Sequence, residues 1–566
     1  MDTKLEVVKL LSKAAGLKES EVSEILEVPP SPELGDFALP CFKLAAKLKK
    51  APQIIAKEIS GKIKSGELIK EVKATGPYVN IFVNQSQIAE NLIFNVLAKA
   101  GRFGEQSKNN QNVMIEFCHA NTHKAFHIGH LRNIVLGESF SRVMEFNGFN
   151  VLRVNYQGDI GPHVAKCLWA YQKYHNDEVP KKDRGVWLGK IYAEGAKHHA
   201  DSEEVQKEVA ELTQKLYAGK DKKLMLLWKK TRGWSIEEFE KLYKELDVTF
   251  KEFYFESQVE AAGKKIALDM LKKGSATRDQ GAIVVDLKKY DLGVCVILAT
   301  DGHPLYTTKE LGLAQKKLAK YNLDKSIHVV GQEQELFFKQ MFKIYELLGW
   351  PIGKISHHLS YGLVMLPEGK MSSRLGEVVI YHDLAEKVKS KALEEVKKRN
   401  LNLSAAKQKL IADKVAIAAL KFGMLKQSPD KTIIFDWERA LEFEGDTGPY
   451  LQYAFVRARK IMQKAGKMPN KASFSLLQQP AEIALVKNIA LFPEVVKKAG
   501  REYAPNAVAN YAFELANTFS SFYETCPVIS AESDGLKNMR LKLVQAFAQT
   551  LRNALYLLGI EEVEVM

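Results

Sequence analysis

Cysteine is scarce in this chain, and the few thiols stand far apart. No two of them form a C-x-x-C motif, which excludes a disulfide-stapled scaffold and any zinc site that could be read from the sequence. This usage is typical of a reducing compartment, and we predict a cytoplasmic protein. The five cysteines are Cys41, Cys118, Cys167, Cys295 and Cys526.

Long apolar runs are missing as well. No stretch approaches the roughly 18 apolar residues of a membrane-spanning helix, so we predict no membrane partner. The first residues, MDTKLEVVKL, mix acidic, basic and apolar side chains and do not form a signal peptide. Neither the P-loop pattern nor G-x-G-x-x-G occurs in the chain, which argues against a P-loop NTPase and a standard dinucleotide-binding fold.

Positive charge, by contrast, is in excess. The 566 residues include 82 Lys and Arg against 68 Asp and Glu, a net charge of +14. Such an excess is typical of a protein that meets a polyanion, and equally of an ordinary basic surface, so charge alone leaves both readings open. At roughly 100–200 residues per domain, the length predicts about three or four domains.

The N-terminal part, residues 1–110, has the pattern of a separate α+β domain. Helical spacing of apolar residues runs through Leu5–Ala15 and again through Phe42–Ile63. Within residues 72–84, Tyr78, Asn80, Phe82 and Asn84 alternate with apolar neighbours after the Gly76-Pro77 turn, which predicts a strand.

After residue 110 the pattern changes to short β runs separated by helices. For residues 111–394 this predicts an α/β domain with a doubly wound, Rossmann-like parallel sheet, interrupted by a charged helical insertion at about 175–280. Residues 395–566 are helical almost throughout and predict an all-α bundle. The predicted strands are 113–118, 151–156, 282–287, 294–300 and 326–331.

The loop after the first of these strands collects groups suited to phosphate. It reads HANTHKAFHIGH at 119–130, and His127 and His130 share a helix face because they are three residues apart. Gly129 leaves room beside the backbone, Lys124 adds a positive charge, and the helix N-terminus supplies amide donors. No carboxylate completes a metal site at ligand spacing. An isolated H-x-x-H would more simply be a pair of capping histidines, but the lysine, strand and helix favour an anion site.

A second segment, LPEGKMSSRLG at 366–376, is a glycine-flanked loop with cations and hydroxyls. Such a loop can close over an anion and release it. Lys370, Ser372 and Ser373 are its candidate ligands for phosphate. By itself the segment could equally be an ordinary polar turn.

Together the two segments resemble the HIGH and KMSKS signatures of class I aminoacyl-tRNA synthetases, and the likeness becomes specific to arginyl-tRNA synthetases over most of the chain. The similar blocks occur in the order expected for that family. They are ELGDFALP (33–40), GPYVNIFVN (76–84), IEFCHANTHKAFHIGHLRN (115–133), VNYQGDIG (154–161), DGHPLYTTKELG (301–312), FEGDTGPYLQYAFVRARKI (443–461) and LRNALYLLGIEEVEVM (551–566).

The chain departs from the family pattern at several positions. Ser373 and Arg374 end the second signature, so its usual second lysine is missing, and the resemblance implies that Lys124 compensates. Glu310 stands where the family usually has aspartate, and Val-Glu-Val-Met ends the chain where an arginine commonly precedes the methionine.

The resemblance implies an enzyme, an AMP-forming arginine–tRNA ligase used in translation. It would activate L-arginine with ATP to arginyl-adenylate and transfer arginine to the 3′ end of tRNA(Arg), releasing AMP and pyrophosphate. Residues 1–110 would bind tRNA, 111–394 would catalyse, and 395–566 would bind the anticodon. The expected cofactor is ATP with Mg²⁺ and no protein-bound zinc, and the expected protein is a cytoplasmic monomer.

The resemblance also implies roles for single residues. The catalytic set is Lys124, His127, His130 and Lys370. The ATP-binding set is His127, Gly129, His130, Lys370, Ser372 and Ser373. The arginine-binding set is Glu116, Asn121, His127, Tyr306, Glu310 and Gln334. The tRNA-binding set is Tyr450, Tyr453, Arg457, Tyr78 and Asn80. Without the resemblance, several of these side chains would be interpreted as aromatic residues of the core, as ordinary strand residues, or as an acid that stabilises a helix through its dipole.

Three other functions compete with this interpretation. Another class I synthetase, such as the cysteinyl type, would need zinc ligands near its pocket, and the sequence offers no persuasive set. A non-catalytic tRNA-binding paralogue would have lost signature residues that are present here. A small nucleotidyltransferase would not need the flanking domains.

Overall fold

The structure, a computed structural model, describes residues 3–566 apart from 67, 177, 366, 368–378 and 400. The described chain packs into two compact units. The first comprises 1–103, 457–491 and 517–550, and the second comprises 104–456, 492–516 and 551–566. Since this division cuts through the C-terminal helices, it does not test where the three predicted domains begin and end.

The N-terminal segment is an α+β arrangement around a small antiparallel sheet. Its helices are α1 (Thr3–Ala15), α2 (Glu19–Ile25), α3 (Ala45–Leu48), α4 (Pro52–Lys62) and α5 (Gln85–Lys99). Its strands are β1 (Phe37–Pro40), β2 (Ile69–Thr75) and β3 (Tyr78–Val83), in the order β1-β3-β2. The helical stretch predicted at 42–63 is broken, because Lys49 adopts a left-handed conformation (φ 50°) and Pro52 starts a new helix.

The next part of the chain alternates strands and helices. Its strands are β4 (Asn112–Glu116), β5 (Asn150–Gln157), β6 (Glu252–Phe255), β7 (Thr277–Asp279), β8 (Ala282–Asp286), β9 (Val294–Leu298), β10 (Lys325–Gly331), β11 (Ser356–Tyr361), β12 (Val364–Met365) and β13 (Ile433–Ile434). Its helices are α6 (Ile128–Phe146), α7 (Pro162–Tyr174), α8 (Arg184–Asp201), α9 (Glu203–Ala218), α10 (Lys222–Glu245), α11 (Glu260–Lys272), α12 (Tyr306–Lys320), α13 (Glu335–Leu347), α14 (Ile352–Ile355), α15 (Tyr381–Arg399) and α16 (Ala405–Leu425).

The central sheet is parallel and doubly wound, as the sequence predicts. Its five strands lie in the order β11-β10-β4-β5-β6, and all its pairings are parallel. The strand order reverses between β4 and β10. In an open sheet of this kind, the crevice beyond the carboxyl ends of those two strands is where a ligand binds.

Part of the predicted insertion belongs to this sheet. β6 lies inside the stretch 175–280, yet it pairs with β5 and forms the edge of the sheet. The prediction that this whole stretch interrupts the domain is therefore wrong for its later part, and helices α8 to α10 are what is inserted between β5 and β6. The strands predicted at 282–287 and 294–300 are confirmed, and they form a hairpin, since β8 and β9 are antiparallel neighbours in a second sheet with β7.

The C-terminal region is helical, as predicted. Its helices are α17 (Gly448–Ala465), α18 (Pro480–Arg501), α19 (Asn506–Thr525) and α20 (Asp534–Leu557). Residues near the end of the chain pack on α6 within the second unit. The Ser139 hydroxyl donates to the Leu557 carbonyl at 2.9 Å, and Lys421 donates to the carbonyl of Gly559.

Candidate active site

The candidate site lies where the strand order reverses. The loop 117–127 leaves the carboxyl end of β4, and the short helical turn 332–334 leaves the carboxyl end of β10. These are the segments in which the sequence places the first signature and Gln334. The fold therefore brings to one edge of the sheet groups that are 200 residues apart in the chain.

Two stacked imidazoles begin helix α6. The rings of His127 and His130 are stacked with centroids 3.7 Å apart. Nδ1 of His127 accepts hydrogen bonds from the amides of Gly129 (3.1 Å) and His130 (3.3 Å), and Nδ1 of His130 accepts from the His127 amide at 3.2 Å. Because Nδ1 is the acceptor in both neutral rings, the proton sits on Nε2, and each ring can donate it to an oxygen.

Both rings are held in the neutral form. Burial, followed by the positive charge of Lys124, lowers the pKa of His127 to about 4. Burial, followed by the neighbouring His127 and Lys124, holds the pKa of His130 well below its usual value. The pair can therefore donate hydrogen bonds to phosphate at neutral pH without carrying charge themselves.

Gly129 is required by the ring beside it. A Cβ atom at this position would lie 3.0 Å from Cε1 and Nδ1 of His127. The His127 ring packs against the backbone of Gly129, and the role of Gly129 in ATP binding stays a prediction. The absent side chain thus preserves the hydrogen bonds that fix both tautomers.

Residues that follow the second signature contact the first one. The amide of Ile128 donates to the carbonyl of Val379 at 3.1 Å, and the amide of Tyr381 donates to the carbonyl of Phe126 at 2.8 Å. The segment 379–381 is therefore hydrogen-bonded to the start of α6. Lys370, Ser372 and Ser373, predicted as ATP ligands, lie outside the described residues.

The first-signature loop is strained and anchored by the inserted helices. Cys118, His119 and His123 all have positive φ, which is uncommon for residues other than glycine. His123 is buried, with Nε2 2.8 Å from the Thr231 hydroxyl and its amide donating to the Ser235 hydroxyl at 2.9 Å. Burial lowers its pKa to about 3, so it is a neutral anchor to α10 and not a phosphate ligand.

Lys124 borders a wide cleft between the sheet edge and the inserted helices. Its ammonium lies 5.1 Å from the centroid of the Tyr192 ring, and burial lowers its pKa. The cleft has a volume of about 690 Å³ and is also lined by Lys166, His199 and Tyr306. Three lysines and two acids line it, so the net positive charge of the lining suits an anionic ligand.

Glu310 is a buried carboxylate without a cation. The side chain is 7% exposed, and no ion pair to it occurs among the described residues. The Tyr345 hydroxyl lies 3.2 Å from its carbonyl oxygen and 3.5 Å from Oε2. Burial, helped by the charge of Glu116, raises the pKa of Glu310 to about 8. A permanent cation would satisfy this carboxylate.

Glu116 is buried at the end of β4 beside a lysine and a histidine. It is 1% exposed, its Oε2 lies 2.6 Å from Nζ of Lys317, and its Oε1 lies 3.2 Å from Nδ1 of His328. Burial acts to raise the pKa of this carboxyl, but Lys317 and His328 outweigh it and hold the pKa well below the usual range. The role of Glu116 in binding the amino acid stays a prediction.

The other residues predicted for arginine lie near the cleft and the sheet edge. Tyr306 begins α12 and is 70% exposed, one turn before buried Glu310. Asn121 is half-buried, and a Cβ at Gly158 would lie 2.1 Å from its Oδ1, so the amide packs directly on that backbone. Gln334 is exposed at the end of the turn after β10.

The residues predicted for the anticodon lie along α17. Tyr450 and Tyr453 are half-buried, and the Tyr450 ring meets Phe513 edge-on at 5.8 Å. Arg457, one turn further, stacks over the Tyr523 ring at 4.5 Å. A half-buried aromatic can still offer an edge or face to a base, so this placement leaves the predicted role intact without testing it.

The two N-terminal residues predicted to bind tRNA, Tyr78 and Asn80, differ in their exposure. Tyr78 is half-buried and meets Phe42 edge-on at 5.7 Å. Asn80 is 5% exposed because β3 is the central strand of its sheet, with partners on both sides. The prediction that Asn80 contacts tRNA is therefore wrong.

The described part of the chain holds no cluster of three or more His, Cys, Asp or Glu side chains arranged for a metal ion. Across the same residues, no helix has the length and apolarity that crossing a bilayer requires.

Several residues of the site escaped the sequence analysis. Lys317 carries a weak signal, since it is seven residues after Glu310 and so on the same face of α12. The sequence gives no such signal for Tyr345 and His328. A tyrosine on an amphipathic helix and a histidine in an apolar strand are both typical of ordinary core residues. His119 was noted only as part of its loop, yet its Nε2 is buried without a hydrogen-bond partner among the described residues.

Comparison with known proteins covers the whole chain. Residues 2–83 match the family described as "Arginyl tRNA synthetase N terminal domain", 92–437 match "tRNA synthetases class I (R), catalytic domain", and 451–566 match "DALR anticodon binding domain". A protein of Clostridium perfringens named "Arginine--tRNA ligase" is 35% identical over 569 residues, which is 100% of both chains. A Treponema denticola protein of the same name is 37% identical, covering 96% of this chain and 94% of its own.

A solved structure agrees with these relatives. "Thermus thermophilus arginyl-tRNA synthetase" superimposes with a TM-score of 0.79 at 27% identity and covers 99% of each chain. Relatives above 30% identity that span the full length, together with the signature geometry described above, establish the lineage. This chain belongs to the arginyl-tRNA synthetases, a family of class I aminoacyl-tRNA synthetases.

Proposed function

We propose that this protein activates L-arginine with ATP and transfers it to the 3′ end of tRNA(Arg). The observation that carries the proposal is Glu310, a buried carboxylate that lacks a cation among the described residues and lies at the family's amino-acid-binding segment. The guanidinium of arginine is always protonated and presents a planar fork of donors, so it matches a carboxylate better than an ammonium does. The activity implied by the relatives and the chemistry of this pocket point to the same amino acid.

In the activation step, the carboxylate of arginine attacks the α-phosphate of ATP and pyrophosphate leaves. Such a transfer depends on positioning and on stabilisation of the charge that develops on oxygen. We assign the Nε2 protons of His127 and His130 to the phosphate oxygens. Lys124 and Lys370 neutralise the triphosphate, and the hydroxyls of Ser372 and Ser373 add donors. Mg²⁺ enters with ATP as part of the substrate, which needs no protein cage.

For the amino acid, we assign Glu310 to the guanidinium, with Tyr306 at the cleft side of the same pocket. Asn121, Gln334 and His127 border the amino and carboxyl groups from the ends of the two central strands. Glu116, which pairs with Lys317 at the end of β4, is assigned with Asn121 to the head of the amino acid.

For the nucleic acid, the cleft beside Lys124 is suited to the 3′ end of tRNA, whose backbone is anionic. Tyr450, Tyr453 and Arg457 on α17 remain the candidates for anticodon bases, and Tyr78 remains a candidate on the N-terminal sheet. We further propose domains at 1–110, 111–394 and 395–566 for tRNA binding, catalysis and anticodon binding, a monomer, and a cytoplasmic location.

The test is ATP-dependent charging of bulk tRNA with each of the twenty amino acids in turn. We expect arginine alone to be esterified, with AMP and pyrophosphate formed in equal amounts. Charging with another amino acid, or no charging by folded protein, would overturn the proposal. A His130→Ala preparation purified in the same way serves as the control for charging by contaminating enzyme.

A further inference from the structure

The turn of helix α6 that follows the two stacked histidines carries two buried polar side chains. Arg132 is 0% exposed and Asn133 is 3% exposed. The chemistry proposed above uses neither of them. Because a polar group buried away from water costs free energy unless it is hydrogen-bonded, the partners of these side chains show what they hold in place.

Asn133 joins three segments of the central sheet. Its Oδ1 accepts a hydrogen bond from the amide of Cys118 at 2.6 Å, directly after β4. Its Nδ2 donates to the carbonyl of Val329 in β10 at 2.8 Å and to the hydroxyl of Tyr361 at 3.1 Å. Since Tyr361 ends β11, one amide group fixes the start of the first-signature loop relative to the end of a strand two places away.

The segment 361–365 leads directly into the second signature, which begins at residue 366. The amide of Gly362 donates to the carbonyl of Pro429 at 2.9 Å. A Cβ atom at Gly362 would lie 2.5 Å from the carbonyl group of Lys431, so the two backbones are in close contact. The position of this segment therefore depends on the loop 428–431.

Arg132 holds that loop from the same turn of α6. Its Nη2 donates to the carbonyls of Pro429 at 3.3 Å and Ser428 at 3.4 Å. Its Nε and Nη1 atoms are buried and have no hydrogen-bond partner among the described residues. Such a buried cation costs free energy, so stability alone does not account for its presence.

We propose that Asn133 and Arg132 are positioning residues for the activation of arginine. They hold the segment 361–365, and so the point at which the second signature starts, in a fixed position relative to the histidines of the first. Asn133 acts through the Tyr361 hydroxyl and Arg132 acts through the loop 428–431, and neither touches a substrate. The inference rests on the proposed function, because it takes Lys370 to stabilise the charge of the triphosphate.

Tyr361→Phe tests the first contact, because it removes one hydroxyl and keeps the ring. Single-turnover formation of arginyl-adenylate should slow about fivefold to tenfold, which is the scale of one buried hydrogen bond. The arginine concentration at half-maximal rate should stay within about twofold, because the residues assigned to the arginine side chain lie on α12. Tyr254→Phe is the matched control, since it removes another buried hydroxyl of this sheet, one without a hydrogen-bond partner among the described residues, and it should match wild type.

Two further backgrounds distinguish positioning from a merely structural role. In Lys370→Ala, the added Tyr361→Phe change should slow the reaction by no more than about twofold, because the cation that depends on the contact is already gone. In His130→Ala, the same change should keep its full effect. A structural role would give equal losses in both backgrounds, and that result, or a wild-type rate in Tyr361→Phe alone, would overturn the proposal.

Arg132→Met tests the second contact. The rate of adenylate formation should fall about tenfold while the thermal midpoint does not fall, because the variant removes a cation that is poorly compensated. A wild-type rate, or a rate that falls only together with the thermal midpoint, would overturn the role of Arg132.

The Lys370→Ala protein separates this inference from the function on which it builds. If Lys370→Ala alone forms adenylate at the wild-type rate, the assignment of Lys370 in the proposed function is contradicted. If Lys370→Ala is slow and Tyr361→Phe has equal effects in both backgrounds, only the positioning role is contradicted.

Discussion

Glu310 makes arginine binding depend on pH in a defined direction. Burial and the charge of Glu116 raise its pKa to about 8 in the free protein, so near neutral pH most molecules hold a proton on this carboxyl. Guanidinium binding requires the ionised form and must release that proton. Affinity is therefore highest above pH 8 and falls as the pH falls below it.

The size of the effect follows from the ionised fraction. With a pKa of about 8, roughly 76% of Glu310 is ionised at pH 8.5 and roughly 3% at pH 6.5, so arginine affinity should differ by about 25-fold. The same proton affects folding. Since the folded pKa lies above the unfolded value near 4.5, the stability that protonated Glu310 contributes is present below about pH 4.5 and is lost as pH rises to about 8.

The assay is arginine titration calorimetry from pH 6.5 to 8.5, repeated in buffers with different ionisation heats to count released protons. Glu310→Gln should bind arginine on the order of 100-fold more weakly at pH 8.5, because a buried guanidinium loses its partner, and its remaining affinity should not change with pH. Glu310→Asp, which restores the residue usual in the family, should keep the pH dependence. Glu335→Gln removes an exposed acid that pairs with Lys339 and should match wild type.

A pH profile that stays equally steep in Glu310→Gln would refute this reasoning, since another group would then carry the proton. An affinity within threefold of wild type at pH 8.5 would show that the guanidinium is recognised elsewhere.

The remaining predictions concern the first signature. His130→Ala should slow single-turnover formation of arginyl-adenylate by about 10²–10³-fold, because one donor to the phosphate oxygens is lost, while tRNA affinity in a filter-binding assay stays within threefold; equal losses in both would contradict the assignment. Gly129→Ala should displace the His127 ring, with which its Cβ would collide, and lower both the thermal midpoint and the adenylation rate. Gly233→Ala is the matched control on α10, where a Cβ meets nothing within 4 Å, and it should stabilise the protein by about 0.5–1 kcal/mol; a destabilised control or an unaffected Gly129→Ala would reverse the interpretation.

Strands β4, β5 and β10 of the central sheet were predictable because most of their residues are buried. Runs such as VMIEFC and SIHVVG are mostly apolar, and this pattern requires no knowledge of distant partners. Strand β11, SHHLSY, was not predicted, because most of its residues are polar. Strand β6 escaped for the opposite reason. Its four residues, EFYF, follow a charged helical stretch, and only pairing with β5 makes them a strand.

For the side chains of the site, too, local patterns could be predicted and contacts between distant segments could not. The histidines of the first signature could be predicted because capping and stacking act over three residues. The ion pair of Glu116 could not be predicted, because its partner Lys317 lies about 200 residues away in the chain. The two side chains meet only after α12 packs on the sheet. The prediction for Asn80 was wrong because it depended on sheet topology. The sequence pattern does not show that β3 is the central strand of its sheet.

The contact between Ser139 and Leu557 spans 418 residues and joins the helix of the first signature to a segment that is synthesised long after it. At about 5–20 residues per second, a ribosome needs roughly 20–80 s to make the intervening chain. During that time α6 lacks this partner. Lys421, once it has been made, lacks its acceptor on Gly559 until 138 more residues have been added. A nascent chain released before residue 557 therefore cannot complete the packing around its own signature helix.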